Sequence, residues 1–239
     1  MPNNPSTLLQ WDRSSGWYDT NMGNMGDNLN NNVIHPALIE KLGNLNGKTI
    51  LDVGCGSGYF TFEIAQRAEK VVGVDFAPSF VKLCQKKYKT QKNLSFLVQD
   101  IADKFEFGNE SFDIILCKMV LQYVESITLF AKESSRMLKN NGRLIVVVDH
   151  PFHSQFFYAQ SLTGKQNPKY KHLENYFSKN PQEKLSLWGK VKLTWYPKTV
   201  EEYITAFLKV GLRLADIREI KEAIEGVDIP RILLLEFIK

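Results

Sequence analysis

Residues 50–60 of the chain read Ile-Leu-Asp-Val-Gly-Cys-Gly-Ser-Gly-Tyr-Phe. The apolar run from Thr49 to Val53 is typical of a buried parallel strand. Three glycines follow at alternate positions, and apolar residues then recur at helical spacing from Phe60 to Ala68. This order predicts a strand, a glycine turn and a helix, because glycine accepts positive φ and lets a ligand approach the main chain.

The spacing of the glycines bears on the ligand. A dinucleotide fingerprint has the spacing G-x-G-x-x-G and binds a pyrophosphate, whereas this turn reads G-x-G-x-G with Asp52 two residues before Gly54. A carboxylate that faces the turn suits an amino group and a hydroxylated ribose better than a pyrophosphate. The stretch from Asp52 to Gly58 resembles motif I of the class I S-adenosylmethionine-dependent methyltransferases. An NAD-dependent oxidoreductase and a non-catalytic protein that binds S-adenosylmethionine stay open as alternatives.

Further motifs follow at the ends of the next strands. The apolar run 71–75 ends in Asp75, 21 residues beyond Gly54, where a carboxylate can accept hydrogen bonds from ribose hydroxyls. Asp75 and Phe76 resemble the family's second motif, and residues 99–102 resemble its third. The aromatic and acidic pattern from Trp11 to Asp19 resembles an N-terminal segment that folds over the cofactor in that family. The resemblance implies a cofactor site made of Tyr18, Asp52, Gly54, Cys55, Gly56, Gly58, Asp75, Phe76, Asp100, Ile101 and Cys117.

The remaining apolar runs predict the architecture. Residues 94–98, 112–117 and 143–149 read as strands, and residues 139–142 read as the C-cap of the helix that precedes the last of them. After a helix at 199–210, two strands at 213–220 and 232–238 follow without a helix between them and predict an antiparallel hairpin. The resemblance implies an α/β fold, a three-layer Rossmann-like sandwich whose seven-stranded, mostly parallel sheet has a reversed last strand.

One domain with an insertion suits a chain of 239 residues. We expect an N-terminal arm at 1–46, frayed before Trp11, a cofactor-binding core at 47–150 and a C-terminal helix with a strand hairpin at 199–239. The insertion, 151–198, has ten aromatic residues, eight lysines, two acidic residues and no arginine. It follows the carboxyl end of a strand, where ligands bind in open α/β sheets, so we interpret it as an aromatic-rich lid over the substrate.

Composition excludes several classes of protein. The net charge of +4 does not by itself indicate a nucleic-acid partner, and no apolar run approaches membrane-spanning length. Three widely spaced cysteines form neither a zinc pattern nor a disulfide pattern, which favours a reducing cytosol. The sequence therefore predicts a cytoplasmic enzyme with no metal cluster.

The chemistry follows from the resemblance. S-adenosylmethionine would be the cofactor and S-adenosylhomocysteine its product, and methyl transfer by in-line displacement needs mainly alignment. Where the acceptor must lose a proton, His150 and His153 are the candidate bases and Gln122 is a candidate polar orienter. No carboxylate is evident that would orient either ring, which favours catalysis by alignment alone. The lid favours a small acceptor that is partly apolar, aromatic or anionic.

Overall fold

The computed structural model describes residues 5–153, 176–186, 191–222 and 229–239. The helices are α1 (Pro5–Met22), α2 (His35–Leu42), α3 (Tyr59–Ala65), α4 (Pro78–Lys87), α5 (Thr128–Met137) and α6 (Val200–Leu208). A π-helical turn at Asn30–Ile34 precedes α2, and a 3-10 turn at Leu121–Tyr123 follows the fourth strand. The strands are β1 (Thr49–Val53), β2 (Lys70–Asp75), β3 (Leu94–Val98), β4 (Phe112–Lys118), β5 (Leu138–Asp149), β6 (Gln182–Ser186), β7 (Val191–Trp195), β8 (Arg213–Lys221) and β9 (Pro230–Ile238).

Seven strands form the central sheet in the order β3-β2-β1-β4-β5-β9-β8. The first five are parallel, and β9 runs antiparallel to both β5 and β8. The predicted α/β fold with a reversed last strand is confirmed, and so is the C-terminal hairpin. Strands β6 and β7 form a separate antiparallel pair inside the predicted insertion. Residues 154–175 and 187–190 of that insertion lie outside the described residues, so the lid stays a prediction.

Each face of the sheet is covered by helices. On β1, Leu51 and Val53 pack in the same core as α5 and α6, whereas Ile50 packs on the opposite face with α2 and α3. Side chains alternate between the faces of a strand, so burial on both sides explains why adjacent residues of β1, Ile50 and Leu51, are both apolar. The result is the predicted three-layer sandwich, in which the strand ends stay free to build a site.

Two local predictions were wrong. Helix α1 begins at Pro5, so residues 5–10, which were predicted to be frayed, are helical. Helix α5 ends at Met137, and Leu138 already pairs with Phe112 at the start of β5. The predicted C-cap is instead an irregular part of β5, where Asn141 has a φ of 61°, a left-handed conformation that asparagine tolerates better than most residues. Among the described residues, no helix combines the length and apolar composition needed to cross a bilayer.

Candidate active site

A cavity of about 430 Å³ opens at the carboxyl ends of β1, β2, β3 and β4. This is the edge of a parallel sheet where ligands bind, because the connections after neighbouring strands diverge there. The size suits a small-molecule site. Nine of the predicted cofactor residues line the cavity: Tyr18, Asp52, Gly54, Cys55, Gly56, Asp75, Phe76, Asp100 and Ile101.

The glycine turn is shaped by one close contact. Gly54 has a φ of 73°, and a Cβ at this position would lie 2.1 Å from Cγ2 of Val120. Only glycine fits there without a shift of the cavity wall. The amides of Gly54 and Cys55 both donate to the carbonyl oxygen of Val74, at 2.8 and 3.0 Å. These donors are therefore already used, and a pyrophosphate would find few free amides in the turn.

Asp75 is buried at the end of β2, and its carboxylate is held by the main chain on both sides. Oδ2 accepts a hydrogen bond from the Gly56 amide at 2.9 Å, and Oδ1 accepts one from the Ala77 amide at 3.0 Å. Burial raises the pKa of Asp75 to about 6, although the two main-chain donors oppose this shift. Each carboxylate oxygen keeps a lone pair for a second donor, which suits a pair of ribose hydroxyls.

A second buried acid, Asp52, lies at the end of β1. Its Oδ2 accepts a hydrogen bond from the Thr61 hydroxyl of α3 at 2.6 Å. Burial raises the pKa of Asp52, while the Thr61 hydrogen bond and the charge of Lys118 lower it. Two carboxylates in one cavity wall disfavour an anionic ligand at this end and favour one with amino and hydroxyl donors.

Past β3, Asp100 forms a tight local turn at the cavity wall. Its Oδ1 accepts a hydrogen bond from the Ala102 amide at 2.9 Å, which fixes the carboxylate beside Ile101. Phe76 lines the same cavity from the end of β2. An aromatic face, a carboxylate and a main-chain segment together offer what a planar, hydrogen-bonding base needs.

Helix α1 closes the cavity with aromatic side chains. Trp11 contacts Tyr123 with 5.6 Å between ring centroids, and Tyr18 contacts Phe80 of α4 at 5.4 Å. The acids of the N-terminal pattern bind α4: Asp12 accepts the Ser79 amide at 2.8 Å, and Asp19 pairs with Lys87 at 2.8 Å. Helix α4 has no side-chain cap of its own, so Asp12 supplies one from another helix. The paired acids thus position the aromatic residues over the cavity.

Five predicted site residues do not line the cavity: Gly58, Cys117, Gln122, His150 and His153. Gly58 is the N-cap residue before α3, and a Cβ there would meet Cys84 Sγ at 2.8 Å. Cys117 is buried in the core between the sheet and α5. Gln122 is fully buried, and neither polar atom of its side chain has a partner within the described part of the chain.

The two histidines lie behind the wall. His150 is buried, and its Nε2 lies 2.8 Å from Oε1 of Glu219, a residue of β8. Its Nδ1 accepts a hydrogen bond from the Phe152 amide at 3.2 Å. The Nε2 atom therefore bears the proton and donates a hydrogen bond to Glu219. His153 Nδ1 lies 3.1 Å from the Arg231 guanidinium. The expectation that no carboxylate orients either ring was wrong for His150, but Glu219 holds that ring outside the cavity lining.

Sequence reasoning missed several wall residues. Lys118 ends β4, lines the cavity and donates to Asn30 Oδ1 at 3.0 Å and to the Tyr59 hydroxyl at 2.8 Å. Burial lowers its pKa to about 8. A lone charged residue at the carboxyl end of an apolar strand was the available signal. Asp149 and Arg231, which form an ion pair, also line the cavity.

The chain matches known proteins over its central part. Residues 51–146 match the family model described as a methyltransferase domain. A Demethylmenaquinone methyltransferase of Lactococcus lactis subsp. lactis (strain IL1403) is 32% identical over 119 residues, which cover 47% of this chain and 47% of that protein. A Ubiquinone biosynthesis O-methyltransferase of Bartonella quintana (strain Toulouse) is 36% identical over 102 residues, with 41% and 39% covered.

The chain thus spans about half the length of these curated relatives. Among solved structures, an S-adenosylmethionine dependent methyltransferase from Mesorhizobium loti superposes with a TM-score of 0.69 at 21% identity. The match covers 85% of this chain and 96% of that one. At this identity the likeness concerns the fold alone.

Proposed function

Since the chain belongs to the class I S-adenosylmethionine-dependent methyltransferase family, we propose that it binds S-adenosylmethionine and transfers its methyl group to a small-molecule acceptor. The observation on which this rests is the Asp75 carboxylate, held in the cavity by the amide of Gly56 in the glycine turn. The Gly56 amide is occupied by this carboxylate and is therefore not available to a pyrophosphate. The carboxylate itself can accept hydrogen bonds from ribose hydroxyls.

The residues of the cavity fit this cofactor. Because Gly54 has no Cβ, the Val120 side chain packs directly against the turn and forms the cavity wall beside it. Asp75 offers two acceptor oxygens for ribose hydroxyls, Asp100 offers a carboxylate for an exocyclic amino group, and Asp52 offers one for an ammonium. When bound, the cofactor supplies a methyl group already activated on a sulfonium sulfur.

The protein's own contribution is then alignment and exclusion of water. Trp11, Tyr18 and Tyr123 cover the cavity and limit the entry of water. Neither His150 nor His153 lines the cavity, which supports a reaction that proceeds without either ring as the base. We propose that Gln122, His150 and His153 shape and stiffen the wall from behind.

For the acceptor, we propose a small and partly apolar molecule. The aromatic wall supports this choice, and so do two relatives, one named for demethylmenaquinone and one for ubiquinone biosynthesis. Residues 151–198 are proposed to select the acceptor, because Tyr196 from this segment lines the cavity. Its excess of lysines favours an acceptor with an anionic group.

Calorimetry with S-adenosylhomocysteine tests the proposal. We expect Asp75→Ala to weaken binding by about ten- to a hundredfold, because charge-assisted hydrogen bonds contribute about 1.5–3 kcal/mol. Asp113→Ala is the matched control, since Asp113 accepts the Thr49 amide at the start of β1, at the opposite edge of the sheet. Wild-type affinity in Asp75→Ala, or tight binding of NADH in place of S-adenosylhomocysteine, would contradict the assignment.

The affinity should also depend on pH through the same carboxyl. The ionised form accepts ribose hydroxyls, and the pKa of Asp75 in the free protein is about 6. Affinity should therefore fall by up to about tenfold per unit as the pH drops below 6, and the Asp75 carboxyl should contribute no further change above pH 7. The Asp75→Ala variant should lack this dependence between pH 5 and 8.

A further inference from the structure

Two charged residues line the cavity beyond β4. Asp149 ends β5, and Arg231 lies beside it near the start of β9. Their side chains form an ion pair in the cavity wall and are 13% and 18% exposed. The end of β5 lies three strands from the end of β2, which is about 14 Å at a spacing of about 4.8 Å between strands. The ion pair is therefore well separated from Asp75, to which we assign the ribose.

The guanidinium group of Arg231 is held in place but keeps a free donor. Its Nη1 donates to Oδ1 of Asp149 and lies 3.1 Å from Nδ1 of His153, and its Nε lies 3.4 Å from Oε2 of Glu222. Within the described residues, Nη2 of Arg231 and Oδ2 of Asp149 have no hydrogen-bond partner, and neither atom is sealed from solvent. The ion pair therefore offers one donor nitrogen and one acceptor oxygen to a ligand in the cavity.

Two other arginines of the chain use their guanidinium groups more completely. Arg136 and Arg143 are 25% and 27% exposed, and each donates from both Nη1 and Nη2 to oxygen atoms of the protein. Arg231 is less exposed than either and still leaves Nη2 without a partner. A ligand that covers this nitrogen must pair with it, because a buried donor without a partner is costly.

The charges around the ion pair bear on the kind of ligand. Asp149 and Glu222 both face the single positive charge of Arg231, so these three groups carry one excess negative charge. A carboxylate or phosphate would meet a guanidinium whose charge is already compensated, and an ammonium would be repelled by that guanidinium. A neutral hydroxyl suits both free atoms, because it donates one hydrogen bond and has two lone pairs.

We infer that Asp149 and Arg231 bind the methyl-accepting group and that this group is a hydroxyl. The inference rests on the proposed function and names the accepting atom. Oδ2 of Asp149 accepts a hydrogen bond from the hydroxyl, and Nη2 of Arg231 donates one to its oxygen, so one lone pair stays free for the attack. Any anionic group of the acceptor lies outside this contact.

Asp149 also receives the proton that the reaction releases. The oxygen–methyl bond forms as the sulfur–methyl bond breaks, and the electron pair of the broken bond stays on sulfur. The O–H bond breaks in the same reaction, and its proton passes to Oδ2 of Asp149. The products are a neutral ether, a neutral sulfide and a protonated carboxyl group, which then releases the proton to solvent.

Calorimetry on protein saturated with S-adenosylhomocysteine tests the binding of a hydroxyl. The probes share one ring system and are 2-naphthol, 2-naphthylamine and 2-naphthoate. Wild-type protein should bind 2-naphthol at least tenfold more tightly than the other two, because only the hydroxyl satisfies both free atoms. In Asp149→Ala and in Arg231→Met this preference should fall below threefold. Asp216→Ala is the matched control and should keep the preference, since Asp216 pairs with Arg218 on the same hairpin outside the cavity lining.

Methyl transfer to 2-naphthol tests the role of Asp149 in the reaction. Wild-type protein with radiolabelled S-adenosylmethionine should form 2-methoxynaphthalene. Asp149→Asn should lower kcat by about a hundredfold or more, because the amide cannot take up the proton. The Kd for S-adenosylhomocysteine should change less than threefold in this variant, which distinguishes a lost proton acceptor from a damaged cofactor site.

The wild-type measurements can overturn the inference without any variant. Equal affinity for the three probes, tighter binding of the amine or the carboxylate, or no binding of 2-naphthol would each do so. A bound 2-naphthol that is not methylated, or a kcat near the wild-type value in Asp149→Asn, would overturn the role of Asp149 as proton acceptor. If wild-type protein does not bind S-adenosylhomocysteine, the proposed function fails instead, so the two failures are distinguishable.

Discussion

Gly54 is the residue whose conformation and contacts leave least room for change. A side chain there meets two penalties, a left-handed φ of 73° and an overlap with the branched Val120 side chain. The left-handed conformation costs about 1–2 kcal/mol for a residue with a Cβ, and overpacking adds about 1–3 kcal/mol. We predict that Gly54→Ala lowers the free energy of unfolding by about 2–4 kcal/mol and weakens S-adenosylhomocysteine binding more than tenfold.

Gly211→Ala separates the two penalties. Gly211 has a φ of 86° in the turn after α6, and a Cβ there would meet nothing within 4 Å. This variant should lose only about 1–2 kcal/mol of stability in denaturant melts and should bind the ligand normally. Equal losses of stability in the two variants, with binding intact in both, would show that Val120 yields to the added methyl group.

At the scale of elements, the insertion 151–198 contacts the cavity wall through its last residues. Trp195 is buried against Tyr123, and the Tyr196 amide donates to the Gln122 carbonyl oxygen at 2.8 Å. Helix α6 then begins with a capping box, in which Thr199 and Glu202 satisfy each other's main-chain amides. Residues 195 and 196 therefore support the cavity wall at the turn Leu121–Tyr123.

We predict that replacing residues 154–192 by a short Gly-Ser linker abolishes methyl transfer to the acceptor but changes the Kd for S-adenosylhomocysteine less than tenfold. The retained residues keep their contacts with the turn at Leu121–Tyr123. A radiolabelled methyl-transfer assay on a panel of small acceptors measures the methyl transfer, and calorimetry measures the Kd for S-adenosylhomocysteine. A folded variant that loses cofactor affinity as well would mean that the replaced part also builds the cofactor site.

At the scale of the whole molecule, a charge network lies at the sheet edge opposite the cavity. Glu236 of β9 accepts from Arg143 of β5 at 3.0 Å and from Lys41 of α2 at 3.1 Å. Arg143 also donates to the carbonyl oxygens of Lys41 and Leu42 and so satisfies the end of α2. This network connects the N-terminal helices to the C-terminal hairpin, which are distant in sequence.

We predict that Glu236→Ala lowers the free energy of unfolding by about 1.5–3 kcal/mol, because Arg143 loses its carboxylate partner, whereas Lys41 keeps Asp216. The Kd for S-adenosylhomocysteine should change less than threefold, since the network lies at the amino ends of the strands. Asp75→Ala should show the reverse pattern, with weak binding and near-normal stability. A tenfold loss of affinity in folded Glu236→Ala would mean that the two edges of the sheet are coupled.

Local pattern alone determined much of this protein. Short runs rich in apolar residues mark strands, so β1 and the largely exposed edge strand β3 could be placed residue by residue from the sequence. The hairpin followed from two strands without a helix between them. The glycine turn and the acids that end β1 and β2 were also legible, because a charged residue at the end of an apolar strand is a local signal. The reversed last strand of the sheet was implied by the resemblance to the methyltransferase family, with which the predicted hairpin agreed.

Only the tertiary structure decided which way the later side chains face. His150 and His153 follow β5 in sequence, yet Glu219 and Arg231 from the hairpin hold them outside the cavity lining. Lys118 belongs to the wall because Asn30 and Tyr59 come to it from distant parts of the chain. Periodicity reports whether a residue is buried, but its hydrogen-bond partners depend on contacts between segments far apart in sequence, and those contacts leave no periodic trace.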